Sequence, residues 1–238
     1  MYTSNYIYHH GEQEMHGYVA YNDDGKQRPA VLIVHDWSGR NEFVCNKALM
    51  MANLGYVGFA IDMYGHGRIG ETTDEKLALM QPLVNDRLLL RDRVTAALDA
   101  LITMDEVDDS RIAAIGFCFG GLCVLDLARS GASILGAVSF HGLLGAPLDL
   151  PSNTIKAKIL ALHGYDDPMV SQLQVNDFCQ EMTKASVDWQ IHMYGHTQHA
   201  FSNPEAHDKV LGTIYNPDAE RRSLQLMTNF LEELFDKN

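Results

Sequence analysis

Nowhere in the 238 residues do about 18 apolar side chains follow one another, so no membrane-spanning segment is expected. The start, Met1-Tyr2-Thr3-Ser4-Asn5, has no basic stretch leading into an apolar one, so no secretory signal is expected either. Positive charge is scarce: 18 Lys and Arg stand against 31 Asp and Glu, a net −13, and no basic run offsets it. A field of that sign repels nucleic acid and anionic membranes, which excludes both as expected partners. Cysteine is sparse. Cys45, Cys118, Cys123 and Cys179 lack metal-ligand spacing, and Cys118 and Cys123, five residues apart around one helix, are badly placed for a disulfide. Reduced thiols in a cytoplasmic protein fit this best. Repeats, low-complexity tracts and linkers are missing, so one domain over residues 1–238 is expected. The eleven histidines are scattered and read mostly as surface or hydrogen-bonded core residues.

One stretch organises the rest: Ile112-Ala113-Ala114-Ile115-Gly116-Phe117-Cys118-Phe119-Gly120-Gly121. It reads as a buried strand, a glycine-bracketed turn and then a helix carrying Leu122, Val124, Leu125 and Leu127. Strand, Gly-x-nucleophile-x-Gly, helix is the nucleophile-elbow pattern, here with cysteine where serine is commoner. Small residues let a strained turn present the sulfur at a helix N-terminus, whose partial positive charge favours a thiolate. Two other readings compete. A lone cysteine after a strand is often core packing. The frame from Gly116 to Gly121 also outlines a dinucleotide-binding loop, but Cys118 occupies the place of the middle glycine, and the next strand, Ala137-Val138-Ser139-Phe140, ends without an acidic residue.

Taken in order, residues 2–10 and 15–22 are β-prone on either side of Gly11 and suggest an antiparallel hairpin at a sheet edge. Ala30-Val31-Leu32-Ile33-Val34-His35 is a continuous apolar run, the mark of a strand buried on both faces. A helix over residues 42–54 capped by Asn41 follows, then a strand over 57–62. A short helix opens with the capping box Thr72-x-x-Glu75, and a longer one covers 86–103 with Leu90, Val94, Ala97 and Leu101 on one stripe. After the elbow come strands over 136–140, 159–163 and 189–194, with a helix over 171–185 opened by Ser171-x-x-Gln174. A last helix starts at Asn216-Pro217 and buries Leu224, Met227, Leu231 and Leu234. Alternation of this kind means right-handed βαβ units and an α/β fold built on a mainly parallel sheet covered by helices. In such sheets ligands sit at the carboxyl ends of the strands.

Two of those ends carry the groups a nucleophile needs. Gly164-Tyr165-Asp166-Asp167-Pro168-Met169-Val170 follows His163, and Gly195-His196-Thr197-Gln198-His199-Ala200-Phe201 follows Tyr194. Nucleophile, acid and histidine in that chain order suit a triad in which imidazole takes the thiol proton and a carboxylate fixes its tautomer. Alone, either aspartate reads as a turn residue and either histidine as a solvated one. A metal site from His192, His196, His199 and Cys118 is disfavoured, because the histidines straddle a strand end rather than share a helix face. A non-catalytic interaction protein on the same fold is the remaining alternative.

Gly116-Phe117-Cys118-Phe119-Gly120-Gly121, His163-Gly164-Tyr165-Asp166-Asp167-Pro168-Met169-Val170 and His199-Ala200-Phe201 together resemble the dienelactone hydrolase family of α/β-hydrolases over nearly the whole chain. Ser139-Phe140-His141-Gly142 and Asn203-Pro204 are similar to many bacterial members. The resemblance implies about eight strands, helices on both faces and no cofactor; residues 141–158 are too few for a cap domain before the next strand, and no metal is expected. It selects Asp167 over Asp166 and His199 over His196 as partners of Cys118. It places Asp36, where the namesake has a glutamate, near the thiol, and makes the backbone N–H groups of Trp37 and Phe119 the oxyanion hole. The implied reaction is hydrolysis of a small ester, lactone or thioester through an acyl-cysteine; a monomer or homodimer is expected. One departure matters. Asn203 stands where the namesake has an arginine that holds its substrate carboxylate.

Overall fold

The computed structural model describes residues 1–148, 150 and 154–236. Its contacts divide the chain into two compact units, Met1–Ile115 and Gly116–Asn238. In the first, the β-prone opening folds as a hairpin of β1 (Tyr2–His10) and β2 (Gln13–Tyr21), in register from Tyr2 opposite Tyr21 to His10 opposite Gln13. Gly11 turns the corner at φ 57°, a left-handed conformation open to a residue without Cβ. The apolar run becomes β3 (Arg28–Val34), with every side chain from Ala30 to Val34 sealed from solvent. It pairs in parallel with β4 (Val57–Ala60), and α1 (Glu42–Asn53) makes the crossover. A Cβ on Gly58 would lie 2.4 Å from the Ala48 carbonyl oxygen, so α1 rests directly on β4. β2 closes against the other edge of β4, antiparallel. Two further helices, α2 (Thr73–Asn85) and α3 (Arg87–Ile102), precede β5 (Val107–Phe117), which carries the chain into the second unit.

There, α4 (Phe119–Arg129) buries all of its residues. β6 (Gly136–Phe140), β7 (Lys158–Gly164) and β8 (Trp189–Tyr194) pair in parallel, with α5 (Gln172–Lys184) between the last two. A small ribbon of β9 (His207–Asp208) and β10 (Thr213–Ile214) precedes α6 (Pro217–Phe235). The main sheet has eight strands in the order β1-β2-β4-β3-β5-β6-β7-β8, with the antiparallel hairpin at one edge. Among the described residues no helix lies between β6 and β7, where a cap would be inserted, and none is long and apolar enough to cross a membrane.

The caps mostly follow the sequence. Thr72–Glu75 and Ser171–Gln174 both form reciprocal capping boxes, and Asn216 accepts from the amides of Asp218 and Ala219. Asn41 differs. It holds the cap position by backbone geometry alone, its side chain making no capping hydrogen bond. The short helix expected after Thr72 runs thirteen residues, through Pro82, because the lost amide bond is a local cost that a continuing helix tolerates. Leu224 is only half-buried; Phe230 and Phe235 take the core positions in α6. The stretch 202–215, to which the sequence assigned no regular element, contains the ribbon.

Candidate active site

β5 ends at Phe117 and α4 begins at Phe119, leaving a single residue, Cys118, to reverse the chain. It does so at φ 54° and ψ −113°, a conformation L-residues seldom adopt and one that clusters at functional sites. The surroundings hold it there. The Cys118 amide donates to the Phe140 carbonyl at 3.0 Å, and the Cys118 carbonyl accepts from Gly121 and Leu122 at 2.9 and 3.3 Å. A Cβ on Gly116 would stand 2.0 Å from the Gly120 carbonyl oxygen, and one on Gly121 would stand 2.5 Å from Ser139 Oγ and 2.7 Å from Gly142 Cα. The elbow therefore admits no larger residue at either place. Cys118 itself remains partly accessible.

Asp167 lies in the turn after β7, where its Oδ1 accepts from the Met169 amide at 2.8 Å. Its other oxygen, Oδ2, accepts from His199 Nδ1 at 2.7 Å, with both side chains buried. His199 is pinned by backbone: its amide donates to Gly212 and its carbonyl accepts from Ile214, both at 3.0 Å. Burial pushes this imidazole toward the neutral form. The negative charge of Cys118, with hydrogen bonds to Asp167 and Cys118, outweighs burial and raises its pKa from 6.5 to about 10. Nδ1 is committed to Asp167, which leaves Nε2 as the ring nitrogen able to exchange a proton. Asp166 and His196, the alternatives in sequence, are exposed.

Around this pair lie groups to which the sequence assigned no part in the triad. The His141 ring stands edge-on to that of His199 at 5.2 Å and to Phe201 at 5.0 Å, with Nε2 hydrogen-bonded to Ser202 Oγ at 2.8 Å. Its φ of 38° directs the chain away from β6 as a strand continuation would not. Its signals in sequence were its place after a strand end and within Ser139-Phe140-His141-Gly142, the stretch similar to bacterial members. His163 is fully buried with neither ring nitrogen hydrogen-bonded, and burial lowers its pKa. Asn203, in place of the namesake's arginine, spends its side-chain oxygen on the Glu205 amide at 3.0 Å.

In the first unit, the loop after β3 is equally ordered. Asp36 is buried and its Oδ1 accepts from the Ser38 amide at 2.8 Å, closing a turn. His35 Nε2 accepts from the Met63 amide at 3.1 Å, so Nδ1 is the protonated nitrogen and donates to the Asp36 carbonyl at 2.5 Å. The Tyr64 hydroxyl donates to the Trp37 carbonyl at 2.9 Å, fixing the peptide plane that follows Trp37. Asp62, read only as a strand end, organises the neighbouring loop by accepting the amides of His16, Tyr64, Gly65 and Gly67 at 2.8–3.0 Å. Burial would raise its pKa, but these bonds together bring it below the ordinary carboxylate value.

Residues 15–235 match the family model described as the dienelactone hydrolase family. The chain is 34% identical to the crystal structure of a dienelactone hydrolase-like promiscuous phosphotriesterase from metagenomic libraries, covering 98% of both chains with a TM-score of 0.94. It is 39% identical over 153 residues to an uncharacterized protein of Caenorhabditis elegans, covering 61% of this chain and 94% of that one. It is 29% identical over 184 residues, 73% of each chain, to a Bradyrhizobium protein described as a probable 2-oxo-3-(5-oxofuran-2-ylidene)propanoate lactonase. With an elbow, a buried histidine–aspartate pair and this match along nearly its full length, the chain belongs to the dienelactone hydrolase family and is a hydrolase of the α/β-hydrolase fold.

Proposed function

We propose that the protein hydrolyses small carboxylic esters or lactones, thioesters included, through an acyl-cysteine intermediate on Cys118. The observation that carries this reading is the His199–Asp167 bond at 2.7 Å on a histidine whose pKa Cys118 helps to raise. The Cys118 thiolate attacks the substrate carbonyl carbon, forming a C–S bond and moving the carbonyl π electrons to oxygen. The backbone N–H groups of Trp37 and Phe119 are the proposed donors to that oxyanion, a contribution worth about 100- to 1,000-fold per donor. As the tetrahedral species collapses, the C–O or C–S bond to the leaving group breaks and His199 gives it a proton. His199, neutral again, takes a proton from water, whose oxygen displaces Cys118 and releases the acid. Asp167 holds the imidazole's tautomer throughout and stabilises its charge. Asp36 is proposed to oppose resting-state ionisation of the thiol, so that Asp36→Asn speeds peroxide inactivation; an unchanged rate would leave it a turn residue only. No cofactor, metal, nucleic acid or membrane enters the scheme, and the whole chain is proposed to act as one cytoplasmic hydrolase domain, as a monomer or homodimer.

The Bradyrhizobium relative's lactonase description supports the lactone reading. The similarity to a promiscuous phosphotriesterase supports a second reaction, phosphotriester hydrolysis. There Cys118 would form an S–P bond as the aryloxide leaves, and water would then cleave that bond. A panel of p-nitrophenyl esters, five- and six-membered lactones, an acyl thioester and an aryl phosphotriester tests both. Cys118→Ala should abolish turnover of each accepted substrate, and His199→Ala and Asp167→Asn should lower kcat/KM by ~100- to 10,000-fold. Ester turnover that survives Cys118→Ala sinks the reading.

A further inference from the structure

Side chains two residues apart on a strand share a face, so Glu14 and His16 project together from β2, with His9 directly across the ladder from Glu14. The loop after β4 brings a second imidazole to them. His66 sits at φ 56° between Gly65 at 85° and Gly67 at 64°, three left-handed residues in succession. Its amide donates to the Glu14 carbonyl at 2.9 Å. One oxygen of Asp62, Oδ2, accepts both the His16 amide at 3.0 Å and the Gly67 amide at 2.8 Å, so strand and loop are tied by the same carboxylate. Glu14 Oε1 lies 2.5 Å from His16 Nε2, and the His16 and His66 rings stand 6.0 Å apart at 78°. One ligand-capable atom from each of Glu14, His16 and His66 lies within 4.8 Å of the others.

We propose that Glu14, His16 and His66 bind a divalent transition-metal ion of borderline character, Zn²⁺ foremost, which clamps the loop after β4 to the N-terminal hairpin. Two imidazoles and one carboxylate are the donor set such ions prefer, whereas Mg²⁺ and Ca²⁺ seek oxygen alone. A tetrahedral Zn²⁺ with ligands at ~2.0–2.2 Å separates adjacent donor atoms by about 3.3 Å. Binding would need Glu14 and His16 to move slightly apart and the exposed His66 ring to swing in. The backbone is already fixed by Asp62 and by the His66–Glu14 hydrogen bond. An ion pair between Glu14 and His16 explains two of these groups but not the delivery of His66 to them. Three protein donors leave a fourth position open to water at the surface, and the acyl-transfer scheme uses none of these residues.

The test is calorimetric titration of the tag-free, chelator-treated full chain with ZnCl₂, and with MgCl₂ in parallel. It is done in a Cys118→Ala background, so that the nucleophilic thiol contributes nothing. The expected result is one Zn²⁺ per chain, no Mg²⁺ uptake, and affinity lowered ~10- to 100-fold in each of His16→Gln, His66→Asn and Glu14→Gln. Asparagine is chosen at position 66 because it tolerates the left-handed conformation, and far-UV circular dichroism confirms that each variant is folded. No Zn²⁺ uptake at concentrations on the order of 100 μM would overturn the proposal. So would uptake that is unchanged in His66→Asn, or Mg²⁺ binding equal to that of Zn²⁺.

Discussion

A histidine out of reach of water keeps a proton only where negative charge replaces its lost hydration. For His199 that charge comes from Cys118 and Asp167, and the folded pKa of about 10 lies above the ordinary 6.5. The sign of the pH effect follows. The stability this residue contributes is fully present below about 6.5 and is lost as pH rises through about 10. Denaturant titrations of wild type and His199→Gln should therefore show wild type's advantage shrinking steadily over that window; a constant gap would contradict it. The thiols make a second prediction. Cys45, Cys118 and Cys179 are all partly accessible, but burial raises the pKa of both Cys45 and Cys179, whereas Cys118 interacts with the His199 imidazole. Iodoacetamide at neutral pH should label Cys118 first, read by peptide mass spectrometry, and faster labelling of Cys45 or Cys179 would count against Cys118 as the nucleophile.

The helix behind the nucleophile is anchored by a fully buried arginine. Arg129, in the last turn of α4, pairs with Asp126 at 3.2 Å and with Glu181 of α5 at 2.7 Å, and donates to the Leu144 carbonyl at 2.9 Å. Breaking a buried pair by removing one partner costs about 3–5 kcal/mol. Arg129→Met should show a loss of that size in urea, with the folded variant keeping its reactive Cys118; a loss below about 1 kcal/mol would mean that the network does not support α4. Nothing in the chain's local pattern announces this network, since Arg129 reads as an ordinary basic residue near a helix end. Other elements were legible for definite reasons. β3 and β7 are continuous apolar runs, and α5 and α6 open on side-chain caps that close as their spacing implies. Asn41 caps α1 as expected but through its backbone alone, and α2 outruns the short helix expected after Thr72. The ribbon was hidden because its strands have two residues each, too short for any alternation to appear. Within the site, neighbouring Asp166 and Asp167 look alike in sequence. What separates them is the hydrogen bond to His199, formed only when residues 32 apart in the chain meet.

At the scale of the whole molecule, two features bear on substrate choice. No helix among the described residues stands between β6 and β7, so turnover should follow monomeric substrate smoothly, with no jump at an ester's solubility limit. A net charge of −13 should penalise anionic esters at low salt. Their KM is expected to fall as added salt screens the field, with that of neutral esters unchanged; a salt-independent KM for both would remove charge from the account. The measurement that goes most directly to the central claim is rapid quench of p-nitrophenyl acetate turnover followed by peptide mass spectrometry. The account predicts an acetyl group on Cys118 during steady state, gone in Cys118→Ala together with turnover. An acetyl group found on another residue, or undiminished turnover by Cys118→Ala, would contradict it.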